Sequence, residues 1–458
     1  MKPSTSNRKT DTLVIGAGIV GISTAYYLKL TAPDLPVTLV DMGRPMELTS
    51  AHSGENYRNW WPHPVMERFT NHSIDLLEDI ARQSNNRISL TRRGYVLATR
   101  KTDIDDLLKE LLAGYAEDAE NTIRIHDTSG SGAYEPPLDN AWQGAPSGVD
   151  VLRNDTLIRQ HFPCYDPEIK TLVHIRRGGS ISGQQMGQFM LEQFRRLGGQ
   201  SLQAQVVAID KAHDFVVSTE NTAVTLQAAR IVNAAGPFLN RIAGMLDIEL
   251  PISNVLQQKI AFEDTSGAIA RRMPFSIDLD AQHMDWSEEE RQLLAEDPDL
   301  AWLTEQMPGS IHCRPDGGDS GTWIKLGWAF NEVPSAACVE PVLNDNFPEI
   351  VLRGAARLNP SLKTYYARLP RNMAHYGGFY TMTDENWPLI GPMGVDGTFV
   401  VGAMSGFGTM AACAAGELCA KQLLGAEAPD YANALSLERY QNQSLMTELL
   451  AQNSRGLL

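Results

Sequence analysis

Residues 12–41 read TLVIGAGIVGISTAYYLKLTAPDLPVTLVD, and the spacing inside this stretch decides the fold. Residues 12–15 have the character of a short apolar strand. Gly16-Ala17-Gly18-Ile19-Val20-Gly21 follows as a G-x-G-x-x-G turn, residues 19–30 carry helical spacing, and residues 37–40 form a second strand that ends on Asp41. The glycines have separable duties. Gly16 makes the tight turn, Gly18 lets backbone N–H groups approach a pyrophosphate, and Gly21 lets the helix pack close to the strand. The helix, opened by Ile19 and Val20, then points its partial positive charge at the phosphates. Asp41 lies 25 residues after Gly16, near the spacing of about 20 at which an acid reaches a ribose hydroxyl. A glycine-rich turn alone is a weak signal. With a strand before it, a helix after it and an acid closing the second strand, it reads as a dinucleotide-binding βαβ unit. Which dinucleotide, and for what chemistry, the unit leaves open.

At 458 residues the chain is long enough for two or three domains. With 43% hydrophobic and 21% charged residues, a packed globular protein is expected rather than a disordered one. A net charge of −16 argues against nucleic acid or an anionic membrane surface as main partner. The cysteines (Cys164, Cys313, Cys338, Cys413, Cys419) include no C-x-x-C pair and are odd in number, so neither a metal site nor a disulfide framework is expected, and a reducing, cytoplasmic setting fits. Arg8 and Lys9 precede the first apolar run, but no small-residue cleavage site follows it. No run of eighteen apolar residues occurs, so no membrane span is expected.

Beyond Asp41, residues 43–63 form a loop containing ELTSAHSGENYRNWWPHP, and residues 64–82 read as an amphipathic helix. Further helices are expected at 104–113, 154–165 and 184–197, and a polar, Gly/Pro-rich surface segment at 129–146. Strands are expected at 93–98, 205–209, 215–218 and 230–232, the last leading into Asn233-Ala234-Ala235-Gly236-Pro237. Residues 251–371 turn β-rich around a helical insertion at 284–306, where Ser287 and Glu290 have the spacing of a capping box. The end returns to α/β character, with strands at 377–382 and 399–401 and a helix from near Met410 to Leu424. A chain that starts in a nucleotide-binding unit, leaves it and comes back suggests two interleaved domains. The expected division gives 8–92, 152–250 and 372–445 to the nucleotide-binding domain, and 93–151 and 251–371 to a substrate domain.

Several segments, in order, resemble the FAD-dependent D-amino-acid oxidase, glycine oxidase and sarcosine oxidase family. They are GAGIVG with Asp41, TSAHSGENYR, QVVAID leading to RIVNAAGPFLN, TWIKLGWAF, GGFYTMTDENWPLIGP and the closing VGAMSGFGTMAACAAGE. The resemblance implies an α/β fold: a Rossmann-like FAD-binding domain interleaved with an α+β substrate domain whose antiparallel sheet roofs the flavin. It implies that Gly16, Gly18 and Gly21 cradle the pyrophosphate and Asp41 holds the adenosine ribose. Val206 and Ala234-Ala235-Gly236 would border the adenine, although both stretches could simply be core. Ser50, Ala51, His52 and Ser53 would run along the pyrophosphate and flavin. In the closing Gly406-Phe407-Gly408-Thr409-Met410, two glycines ahead of a helix allow close backbone approach, and the helix N-terminus would favour the negative charge of a reduced flavin.

The chemistry so implied is oxidation of a C–N bond: a hydride leaves the substrate carbon for flavin N5, and water hydrolyses the imine. Lys325, on the same strand face as Trp323 and Gly327, is the expected catalytic cation. A lysine in an apolar strand is costly unless paired or functional, and its place resembles that of the family lysine that lies over the flavin and assists oxygen. Arg58 is the candidate carboxylate ligand. The closing position that often supplies a lysine reads Met410, and the place of the active-site histidine reads Ala329. A more apolar substrate pocket is therefore expected, with Trp60, Trp61, His63, Tyr380 and Met410 around it; packing of the Trp60–His63 loop against the domain interface is the alternative. The position of the family's flavin-linking cysteine falls on Gly378, so non-covalent FAD is expected. The leading reading is an amine or N-substituted amino-acid oxidase using O2. The alternatives are a dehydrogenase that reduces a quinone or an electron-transfer protein, and a non-catalytic regulatory relative.

Overall fold

The computed structural model describes residues 6–115, 122–127, 134–137, 142–220, 224–318, 320–366 and 368–451. Half of the polar segment expected at 129–146 lies outside them.

The opening unit forms as its spacing dictates: β1 (Ser6–Ile15), α1 (Ile19–Thr31) and β2 (Val37–Asp41). β1 begins at Ser6 rather than Thr12, and the reason is backbone pairing. Its leading half runs parallel to the Val224–Asn233 strand, with Ser6 opposite Val224 and Lys9 opposite Gln227, so polar residues ahead of the apolar run extend the strand. α1 is buried along nearly its whole length and has no polar face. It packs against the helices Gly183–Arg196 and Gly408–Leu424.

Two sheets organise the described residues. The first has the order Val206–Lys211, Phe215–Thr219, Val224–Asn233, β1, β2, Gln200–Gln203. The Thr398–Gly402 strand lies parallel to the end of Val224–Asn233, with Leu389–Pro392 beyond it. Residues near the C-terminus thus return to the nucleotide-binding sheet. The second sheet has nine strands. Its order is Ala374–Met382, Ser253–Glu263, Trp323–Gly327, Ile311–Asp316, Phe275–Asp278, Tyr95–Thr99, Thr171–Ile175, Val149–Leu152, Ile123–His126. Its pairs are antiparallel except where Phe275–Asp278 meets Tyr95–Thr99 and Ile123–His126 meets Val149–Leu152. Thr171–Ile175 and Ala374–Met382 both bond into this sheet, whereas the expected division grouped 152–250 and 372–445 with the nucleotide-binding unit.

Alternation of side chains gives the second sheet two unlike faces. Ile260, Phe262, Ile324, Leu326 and Cys313 point to a core covered by the Phe347–Leu358 helix, each large apolar side chain contributing about 1.5–3 kcal/mol. Lys259, Lys325, Arg314 and Tyr376, in register with one another or one step removed, stand on the opposite face. The 284–306 insertion packs on the apolar side. Its capping box forms between Ser287 and Glu290, Trp286 donates to the Leu303 carbonyl at 2.9 Å, and the Arg353 guanidinium lies 4.1 Å from the Trp286 ring centroid.

The Pro64–Gln83 helix carries a group that makes stability depend on pH. Burial pushes the Glu67 carboxyl up to about 7 from an ordinary value of 4.5, against the opposing pull of Arg177 and Arg68. A raised carboxyl holds its proton longer in the fold than in the unfolded chain, so stability falls as pH climbs from about 4.5 through 7. Glu67→Gln is therefore expected to stabilise the protein at pH 8 by about 1–2 kcal/mol and to change little at pH 4. Urea midpoints at the two pH values check this; equal shifts at both would refute it.

Candidate cofactor cleft and active site

An elongated cleft runs from the end of β2 to the charged face of the second sheet. Its first part is lined by Gly16, Gly18, Asp41, Ser50, Val206, Ala234, Ala235 and Gly236, among others. Its second part is lined by Ile19, Val20, His52, Ser53, Tyr380, Gly406, Gly408 and Thr409. The two parts share Gly18, Thr49, Ser50, Ala234, Gly236 and Pro237, so they form one channel.

The first part has the features of a phosphate and ribose site. Gly16 has φ +110°, and a Cβ there would lie 2.3 Å from the Ala234 carbonyl oxygen. A Cβ on Gly21 would lie 1.9 Å from the Gly16 oxygen. Both positions accept only glycine, and together they bring the N-terminus of α1 against the turn. Gly18 is different in kind: a Cβ would meet only the Ser50 hydroxyl, at 3.1 Å, and would otherwise enter the cleft. The Ile19 N–H donates to Ser50 Oγ at 2.9 Å. The Asp41 carboxylate accepts from the Ala17 N–H at 2.5 Å and the Gly43 N–H at 2.8 Å. Burial pushes its carboxyl up, and these two backbone bonds oppose the rise.

The second part is walled by small, apolar and hydroxyl-bearing residues and meets the start of the Gly408–Leu424 helix. Thr409 and Ser53 join their hydroxyls across it at 2.7 Å. Ala403 and Ser405 line it in the left-handed conformation, with φ 55° and 43°. Such strain costs on the order of 1–3 kcal/mol per residue and collects at functional sites. Burial, and then the neighbouring Lys259 cation, push the His52 imidazole below its ordinary range. The acid-closed phosphate turn, the narrow small-residue wall and the helix end at the far side together suit a flavin dinucleotide.

Several expected site residues lie elsewhere. Lys325 does not line the cleft: its ammonium pairs with Glu55 at 2.7 Å and lies 3.5 Å from Asp316. Trp60 and Trp61 are fully buried in packing. Trp60 joins the core beneath Tyr95, and Trp61 stands edge-on to Phe407 at 4.8 Å. The Arg58 guanidinium is buried 4.7 Å from the Tyr95 ring centroid, and its Nε donates to the Trp60 carbonyl. His63 caps the Pro64–Gln83 helix, accepting from the Val65 N–H, and its Nε2 lies 3.2 Å from Glu448. Met410 and Phe407 belong to the apolar core around α1, and Ala51 is exposed outside the cleft. The apolar aromatic pocket expected from Trp60, Trp61, His63 and Met410 is thus absent, because each of these side chains is taken up by packing or capping. Tyr380 lies in the cleft wall, against Gly406.

One residue in the cleft was not anticipated. Among the described residues, Lys259, on the Ser253–Glu263 strand, is the one lysine, arginine or carboxylate lining the second part. The argument that singled out Lys325, a lysine inside an apolar strand, applies equally to the sequence LQQKIAF and would have found it.

A family model described as DAO, FAD dependent oxidoreductase, matches residues 11–422. No curated protein sequence matches the chain. Among solved structures the chain is similar to L-proline dehydrogenase from P. horikoshii, at 16% identity over 95% of this chain and 99% of that one, with a TM-score of 0.71. It is also similar to glycine oxidase from Geobacillus kaustophilus, at 14% identity over 94% and 99% with a TM-score of 0.67. For iminodiacetate oxidase from Chelativorans sp. BNC1 the values are 16%, 93%, 98% and 0.68. At these identities the likeness is one of fold. Among the described residues no helix is long and apolar enough to cross a membrane, and no group of side chains suits a metal ion.

Proposed function

Because the chain belongs to the DAO family of FAD-dependent oxidoreductases, we propose that it oxidises the C–N bond of an amine or N-substituted amino acid and passes the electrons to O2. The products are an imine, which water hydrolyses, and hydrogen peroxide. Bound in the cleft, FAD supplies a two-electron acceptor. The observation that carries the reading is the far end of the cleft, whose wall of small, apolar and hydroxyl-bearing residues includes both the start of a helix and Lys259. Positive charge fixed at that end of the cleft favours the negative charge that develops when electrons arrive.

The remaining duties fall to named residues. Gly16, Gly18 and the N-terminus of α1 hold the pyrophosphate, and Asp41 takes the adenosine ribose. Ser50 orients the first turn of α1 through the Ile19 N–H. Tyr380, on the sheet face toward the cleft, orients the amine. FAD is held without a covalent bond in this reading, in keeping with Gly378 in the cleft wall at the position where the resemblance places a linking cysteine. The amino-acid side of the proposed substrate range draws on the similar structures, whose names include proline, glycine and iminodiacetate. A second reading, electron delivery to a quinone or a redox protein, is favoured by the similarity to a proline dehydrogenase.

The test is a screen of amines, N-methyl amino acids, D-amino acids and cyclic imino acids, with oxygen uptake and peroxide followed together. We expect at least one compound to yield peroxide in step with the oxygen consumed. Turnover that needs a quinone or dye and leaves oxygen untouched would overturn the oxidase reading.

A further inference from the structure

We propose that Lys259 is the cation that faces the bound flavin and stabilises its negatively charged reduced form, and that Lys325 is a positioning residue that holds the cofactor loop through Glu55. The proposal rests on the cleft being the FAD site, and it assigns to one lysine the charge that sequence places on the other.

The two lysines share a sheet face but have opposite surroundings. Lys259 stands opposite Gly327 on one neighbouring strand and Tyr376 on the other. It is 6% exposed, and its ammonium lies 5.4 Å from the Tyr380 ring centroid. Its Cε lies 3.9 Å from where a Cβ on Gly54 would stand, so the side chain passes over the His52–Gly54 stretch of the cleft wall. Among the described residues no carboxylate pairs with it. An ammonium buried without a counter-charge is costly. The oxidised isoalloxazine is neutral and its reduced form is an anion, so the cost at Lys259 is relieved as electrons arrive.

Lys325 belongs to a cluster that is already balanced. Its Nζ pairs with Glu55 at 2.7 Å and lies 3.5 Å from Asp316, while Arg314 lies 3.4 Å from Glu55 and 2.8 Å from Asp316. Two cations meet two carboxylates. The cluster's reach is mechanical: Glu55 also accepts from the Gly183 N–H at 2.9 Å, and Arg314 donates to the Gly54 carbonyl at 3.0 Å. Glu55 sits in the left-handed conformation at φ 57°, directly after the stretch that lines the cleft. These bonds pin that stretch between the second sheet and the Gly183–Arg196 helix.

Sulfite adds to flavin N5 and leaves negative charge on the ring without any substrate, so its affinity reports the local field independently of turnover. In the holoenzyme, Lys259→Met is expected to weaken sulfite binding by about tenfold or more, read as loss of the visible flavin band during titration. Lys259→Arg keeps the affinity within about threefold of wild type. Lys325→Met and Glu55→Gln leave sulfite affinity within about threefold but raise the FAD dissociation constant by about tenfold, and Lys325→Arg restores it. Wild-type affinity in Lys259→Met, no adduct in the wild type, or a tenfold sulfite loss in Lys325→Met would each overturn the assignment. Lys259-dependent sulfite binding in a protein whose reduced flavin is indifferent to air would refute the oxidase reading and leave this inference standing.

Discussion

Gly21→Ala is expected to give protein that purifies with less than about a tenth of its FAD, the largest effect of any single methyl group in the cofactor domain. The added carbon would lie 1.9 Å from the Gly16 carbonyl oxygen and 3.1 Å from the Ala234 Cβ. The first neighbour is backbone, so no rotamer change relieves the overlap, and α1 must move away from the turn. Overpacking of this kind costs about 1–3 kcal/mol even where side chains can adjust. Here the strain falls on the N–H groups and helix end that face the pyrophosphate. The ratio of visible flavin to protein absorbance after purification measures the result. Gly18→Ala provides the contrast, since its Cβ would enter the cleft, meeting only the Ser50 hydroxyl at 3.1 Å. It should lower FAD affinity while leaving the thermal midpoint of the apoprotein unchanged. Full flavin occupancy in Gly21→Ala would refute the account of the turn.

Arg439→Met is expected to cost about 3–5 kcal/mol of stability. Arg439 and Glu385 are both buried, at 0% and 1% side-chain exposure. The guanidinium donates to the Glu385 carboxylate and to the Pro388 carbonyl at 2.7 Å, and Tyr440 donates to the same carboxylate at 2.9 Å. Removing Arg439 strands a buried carboxylate in the turn that follows the Ala374–Met382 strand, which carries Gly378, Tyr380 and Thr381 to the cleft. A fall of at least about 5 °C in the thermal midpoint is expected. The double substitution Arg439→Met with Glu385→Leu should recover much of it, because replacing a whole buried pair by apolar groups is close to neutral. A single variant as stable as wild type would show that the pair holds nothing.

How much of this was legible in the sequence depends on how local the cause is. The phosphate turn, Asp41 and the glycines Gly406 and Gly408 ahead of the last helix are dictated by a few adjacent residues, and Gly16, Gly18, Asp41, Gly406 and Gly408 line the cleft. The lysines were not legible in that way. Alternation put Lys325 on the correct face, but its ammonium is claimed by Glu55, 270 positions earlier in the chain, and nothing nearby announces that partner. Lys259 obeys the same alternation and was passed over because no motif surrounds it. The Trp60–His63 loop has the composition of both a substrate wall and a packed interface. Phe407, Tyr95 and Glu448, all distant in sequence, decide for packing. The left-handed Ala403 and Ser405 carry no sequence mark, since neither is glycine.

The most direct measurement is a two-step flavin titration. The purified protein, with FAD confirmed by release on denaturation, is mixed anaerobically with the amine or amino acid that gives most peroxide in the screen, and air is then admitted. The account predicts that the visible flavin band bleaches in the first step and returns in the second with an equivalent of peroxide. A flavin band that no amine or amino acid bleaches, in protein that retains FAD and the native fold, would contradict it.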